Sequence, residues 1–204
     1  RKRHTASDLL KQLRGFFVPA APSAVYSQGI LEHRVVRILL ECLLDDGVGL
    51  LEALTLLGSV VTVTGRLATV AKPTRLEDTA ALILEFESGA LGTAETGWCD
   101  AARTGTFSVH GTEGKLVFPG NDGGLWHHRP GSTVDEDAPL ISEPVDTSGI
   151  PAVNSHEHWI DCIRQGIQPP LSNVRSARHI TEIMLAGLKS SRERRTVEVS
   201  SRVK

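Results

Sequence analysis

Around Gly58 the spacing of apolar residues changes from helical to extended, and that change calls for a mixed α and β fold. Before it, Leu31, Val35, Ile38, Leu39 and Cys42 recur at helical spacing. They predict a helix over Ile30–Leu44, with His33, Arg37 and Glu41 on its solvated side. Ser7 is placed to cap a short helix through Arg14 that Pro19–Pro22 closes, and Gly49–Leu57 reads as a further helix stopped at Gly58. After the change, Ser59–Val70 has the Val/Thr content of a strand. Thr79–Glu87 is a second strand, turned by Ser88-Gly89 into Ala90–Trp98. Thr104–His110 and Lys115–Phe118 flank Gly111-Thr112-Glu113-Gly114, a second hairpin. Leu125–His128 adds a short strand, and Pro130–Pro151 is expected to be mostly loop.

Two helices and a last strand are predicted to follow. In the first, Asn154 and Glu157 form a capping box, Val153, His156, Ile160 and Ile163 share the apolar face, and Gly166 ends it. Ser172 or Asn173 opens the second, with Ala177, Ile180, Met184 and Leu188 along one side and an Arg178–Glu182 pair on the other. Arg195–Val199 is the last strand. The expected class is α+β, a predominantly antiparallel sheet with helices packed on one face. The expected division is a helical segment over 1–57 and an α+β domain over 58–204.

Composition narrows the function classes. Twenty-two Lys and Arg balance 24 Asp and Glu, so a nucleic-acid partner is not expected, and the basic start Arg1-Lys2-Arg3 reads as an exposed terminus. No apolar run is long enough for a bilayer-spanning helix. Cys42, Cys99 and Cys162 are odd in number and far apart, which suits a reducing, cytoplasmic setting better than a disulfide framework. Arg rather than Met at position 1 suggests a piece of something longer.

Single motifs favour structural over catalytic roles. No strand-borne G-x-G-x-x-G occurs, so no cofactor-binding residue is assigned, and Gly120-Asn121-Asp122-Gly123-Gly124 reads as a turn. His156 and His158 lie about 200° apart on a helix and cannot share one ion with Cys162, so no metal ligand is assigned. His156 is expected in the core and His158 in solvent. His127-His128 should face opposite ways on a strand, at a surface or edge. Asp45-Asp46 and Asp135-Glu136-Asp137 read as a helix end and a solvated loop.

Three blocks, in order and correctly spaced, carry a resemblance over residues 76–199. They are Leu76–Gly92 with Gly97-Trp98, then Phe107–Leu116, then His156–Gly166 with Pro169-Pro170, Ser172 and the chain through Val199. They resemble the C-terminal, substrate-side domain of the Gfo/Idh/MocA family of nicotinamide-dependent oxidoreductases. The resemblance implies a full-length enzyme using NAD or NADP on a sugar, polyol or related CH–OH compound. This chain would have no Rossmann domain, bind no cofactor by itself, and form a homo-oligomer through a sheet face. Many members carry His and Asp before a Leu-Gly turn; counted back from Leu57-Gly58, those places hold Val48 and Leu51. No catalytic residue is therefore carried over. Glu95, Trp98 and Arg103 are the expected substrate-facing residues, the indole suited to stacking on a sugar ring. By strand alternation Trp98 falls on one face with Ala94 and Thr96, and Glu95 falls on the other. The competing reading is a non-catalytic oligomerisation or ligand-binding module derived from such an enzyme, or a truncated product with no role of its own.

Overall fold

A computed structural model describes residues 37–41, 53–54, 56–97, 99, 105–119, 124–132, 137–148, 155–169 and 173–203. In chain order the strands are β1 (Arg37–Glu41), β2 (Val60–Ala68), β3 (Thr79–Phe86), β4 (Leu91–Gly97), β5 (Thr106–Gly111), β6 (Gly114–Phe118), β7 (Trp126–Pro130) and β8 (Leu140–Pro144). Helices α1 (Ser155–Gln165) and α2 (Val174–Glu193) follow, then β9 (Val197–Glu198). Among the described residues these nine strands form one sheet in the order β8-β7-β6-β5-β1-β4-β3-β2-β9. Every neighbouring pair is antiparallel except β1 with β4. The architecture is α+β, as expected.

The local signals hold where local chemistry decides. Gly89 sits at φ +82 in the β3–β4 turn, a conformation that penalises any side chain. Gly58 at φ +85 ends the helical turn that precedes β2, its N–H donating to Leu54 O at 3.0 Å. Asn173 caps α2, its side chain accepting the N–H groups of Arg175 and Ser176. Gly166, at φ +66, closes α1.

One expectation fails and a second is incomplete, both on non-local grounds. Arg37–Glu41, predicted inside the Ile30–Leu44 helix, is a strand between β4 and β5. A short apolar run serves equally as a helix turn or as an inner strand, and here it fills the ladder between two strands that would otherwise present bare edges. Within Pro130–Pro151, expected to be mostly loop, Leu140–Pro144 is a strand that pairs with β7 and forms an outer strand of the sheet. Of the expected Gly49–Leu57 helix, residues 53, 54, 56 and 57 are described and are helical; the Ser7–Arg14 helix lies outside the described residues.

The core lies between the sheet and α2. Val63, Leu84, Phe86, Val109, Ile183 and Val199 are buried there together with Ala53, Leu54 and Leu57. Each large side chain so buried contributes roughly 1.5–3 kcal/mol. A bulge between Val60 and Thr62 lets β2 bury both Val60 and Val63 despite their odd spacing.

The buried side of α2 is Ser176, His179, Ile183, Ala186, Gly187 and Ser190; of the Ala177, Ile180, Met184 and Leu188 stripe expected from apolar spacing, Ile180 packs half-buried against the core while Ala177 and Met184 are exposed. Met184 is 63% exposed. The helix seats its Gly187 over Gly65 of β2, and the closeness of that contact sets which side faces in. Likewise α1 exposes His156, Ile160 and Ile163 and buries Cys162, whose Sγ lies 3.7 Å from His158 Nε2. His156 is therefore not a core histidine.

Candidate functional site

With α2 covering one face of the β2–β3 region, the opposite face carries the alternate residues. Register places Arg66, Ala81 and Glu95 in one row across β2, β3 and β4. The next row towards the end of the sheet is Ala68, Thr79 and Gly97. Strand spacing sets Arg66 and Glu95 roughly 10 Å apart, with Ala81 between them. Ala68, Ala81 and Gly97 make a floor without long side chains. Around it stand a guanidinium, a carboxylate and the Thr79 hydroxyl. Exposed Arg66 and Glu95 at the two sides of a low floor offer hydrogen bonds to a small molecule rich in hydroxyls.

The rim beyond Thr79 is tightly held. Asp78 is buried, and its carboxylate accepts the backbone N–H groups of Val70 (2.7 Å), Ala71 (2.9 Å) and Lys72 (2.8 Å). Hydrogen bonds from Lys72, Ala71 and Val70 hold its pKa down at about 2. Thr79 Oγ1 donates to Asp78 Oδ1 at 3.1 Å and lies 3.5 Å from Cys99 Sγ.

Of the three expected substrate-facing residues, Glu95 is exposed in the Arg66–Ala81–Glu95 row. Trp98 and Arg103 lie outside the described residues, as do Val48 and Leu51. Arg66 was not singled out from the sequence. Its only signal was polarity at an alternate position of β2, shared by many surface arginines, and register across three strands is what sets it opposite Glu95.

A second polar cluster serves the fold. His179, fully buried in α2, accepts the Val60 N–H through Nε2 at 3.0 Å, so its Nδ1 carries the proton and donates to Ser201 Oγ at 2.8 Å. Burial, with Arg202 adding to it, lowers the histidine pKa against the opposing pull of Glu182. Glu182 accepts Ser200 N and Oγ, both at 2.7 Å, and Ser201 N at 3.0 Å. Hydrogen bonds from Ser201 and Ser200 lower its pKa to about 2. These bonds, not the expected Arg178–Glu182 pair, are what Glu182 contributes. They pin the chain after β9 to α2.

His127 and His128 occupy β7, inside the sheet rather than at its border, with His128 Nδ1 2.8 Å from Ser142 Oγ. Among the described residues no three His, Cys, Asp or Glu side chains converge on a metal position, and no helix is long and apolar enough to cross a membrane.

The family model described as the oxidoreductase family's C-terminal alpha/beta domain matches residues 51–199. A curated relative, the D-apiose dehydrogenase of Paraburkholderia graminis, is 28% identical over 167 residues, covering 77% of this chain and 44% of the relative. The chain thus spans less than half of that relative's length. Among solved structures, levoglucosan dehydrogenase in complex with NADH and levoglucosan superposes with a TM-score of 0.65 at 17% identity, covering 83% of this chain and 60% of that one. An oxidoreductase from Agrobacterium radiobacter in complex with NAD+, L-tartaric acid and magnesium gives 0.59 at 16%, covering 82% and 57%. At such identities the structural likeness establishes the fold.

Proposed function

The chain belongs to the Gfo/Idh/MocA oxidoreductase family, and from that premise we propose that it forms the substrate-side wall of an NAD(P)-dependent dehydrogenase acting on a sugar, polyol or related CH–OH compound. The family match carries the reading. The row of Arg66 and Glu95 over a floor of small residues supports it, because a polyol is held by several hydrogen bonds at once and needs room to lie flat. The Trp98 indole and Arg103 are proposed to complete the wall.

The cofactor's place is elsewhere. In the described residues the one parallel strand pair is β1 with β4, and no strand–turn–helix unit opens on a glycine run that could cradle a pyrophosphate. By itself the chain is proposed to bind neither NAD nor NADP. Neither Val48 nor Leu51 can move a proton. This chain's share of the work is to bind and orient the alcohol.

On the same open face, beyond the Arg66–Ala81–Glu95 row, Ile83 (55% exposed), flanked by Thr64 and Thr93, and Leu91 (49%), opposite Glu85, are proposed as the homo-oligomer contact, which would then border the substrate wall.

Calorimetric titration of the chain with D-apiose and with NADH tests the reading. Sugar binding that weakens at least tenfold in Glu95→Gln, with no NADH binding at micromolar concentrations, is the expected result. Micromolar NADH binding would refute the proposed division of labour. A chain that ignores a panel of sugars and polyols would favour the non-catalytic module, to which the Val48 and Leu51 departures already point.

A further inference from the structure

Resting on that reading, we infer that Asp78 and Thr79 are positioning residues that set how the chain leaves β4 at the rim of the substrate wall. Three observations meet there. Asp78 is a carboxylate sunk to 2% exposure that closes the β2–β3 connection by accepting three consecutive backbone N–H groups. The same carboxylate takes the only hydroxyl hydrogen of Thr79. With that hydrogen committed, Thr79 Oγ1 has lone pairs alone to offer, so at 3.5 Å the Cys99 thiol is the donor. The order of donation runs from Cys99 through Thr79 to Asp78. It ties the residue after Trp98 to a loop reached through a different strand.

The register makes the tie a matter of the site. Thr79 stands opposite both Ala68 and Gly97, one row from Arg66, Ala81 and Glu95, so a shift of Thr79 moves the rim against the floor. A merely structural Asp78 would need only its backbone partners. The hydroxyl and thiol extend its hold to the β4 side of the site, and Thr79 is the residue that transmits it.

The test reads Cys99 directly. Reaction of the full chain with iodoacetamide is followed at Cys99 by peptide mass spectrometry, beside thermal unfolding of each variant. Thr79→Val is expected to speed Cys99 labelling about fivefold, the worth of one modest hydrogen bond. It should leave the melting temperature nearly unchanged, and Thr79→Ser should restore the slow rate. Asp78→Asn should label faster still and weaken D-apiose binding together with Thr79→Val. Wild-type labelling rates in Thr79→Val, or a Thr79→Ser variant that fails to restore protection, would overturn the inference. If the wild-type chain binds no sugar, the proposed function fails while the labelling rates still decide whether the tie exists.

Discussion

His179 shows how one side chain joins three parts of the molecule. It sits in α2, accepts from the first residue of β2 and donates to Ser201. The Val60 bond needs the neutral ring, because a proton on Nε2 would face the Val60 N–H. The unfolded chain takes up that proton near pH 6.5, while burial delays uptake in the folded state. Between the lowered folded value and 6.5 the unfolded state therefore binds more protons, and stability rises with pH across that window. Above it, His179 contributes no slope. Glu182 and Asp78 act lower down: their stabilisation is complete above the unfolded values of 4.5 and 3.8 and fades as pH falls towards 2. Urea midpoints measured from pH 7.5 to 5.5 should thus fall, and His179→Gln should flatten that fall; an unchanged slope would show that another group titrates. His179→Ala at pH 7.5 should cost about 2–4 kcal/mol, the combined effect of a stranded Val60 N–H and a cavity.

At the scale of elements, the seat of α2 on β2 is a glycine contact finished by serines. A Cβ on Gly65 would meet Gly187 O at 3.1 Å and its Cα at 3.3 Å, besides Leu82 Cδ2 at 2.6 Å. One on Gly187 would meet only Leu82, its Cδ2 at 2.7 Å, the free end of a side chain. Gly65→Ala should therefore destabilise by about 1–3 kcal/mol, since backbone cannot step aside. Gly187→Ala should stay within about 1 kcal/mol, its clash offset by better helix propensity. Chemical denaturation of both variants ranks them, and equal losses would contradict the contact. Where β9 stops pairing, Ser190 Oγ accepts the Gly65 N–H and Ser191 Oγ the Leu67 N–H, both at 2.9 Å. Two hydroxyls on a helix thus continue the ladder along an edge that would otherwise invite another strand. Apolar spacing misplaced the inner side of α2 because, Ile183 apart, the buried residues there are glycine, alanine, serine and histidine. Close approach selects small residues, and apolar periodicity does not register them.

For the whole molecule, one face of the β2–β3 region is closed by α2 and the other stands bare. Ile83 faces Thr64 and Thr93 across the neighbouring strands, and Leu91 faces Glu85. Sedimentation velocity should show an oligomer that Ile83→Lys shifts to the monomer, with the melting temperature of the monomer retained. A wild-type chain that stays monomeric at high concentration would remove the proposed contact. The hairpins and the caps of this fold were legible in its residues, because Ser88-Gly89, Gly58, Gly166 and Asn173 act on the backbone within a few positions of themselves. The family blocks were legible too, as was the placing of Glu95 and Gly97 on one face of their strand. Tertiary structure alone decided the rest: that Arg37–Glu41 enters the sheet beside β4, that Leu140–Pro144 extends it, and that Arg66 stands across Ala81 from Glu95. Each of those facts is a pairing between distant segments, and its free energy comes from a partner strand that no local window of sequence contains.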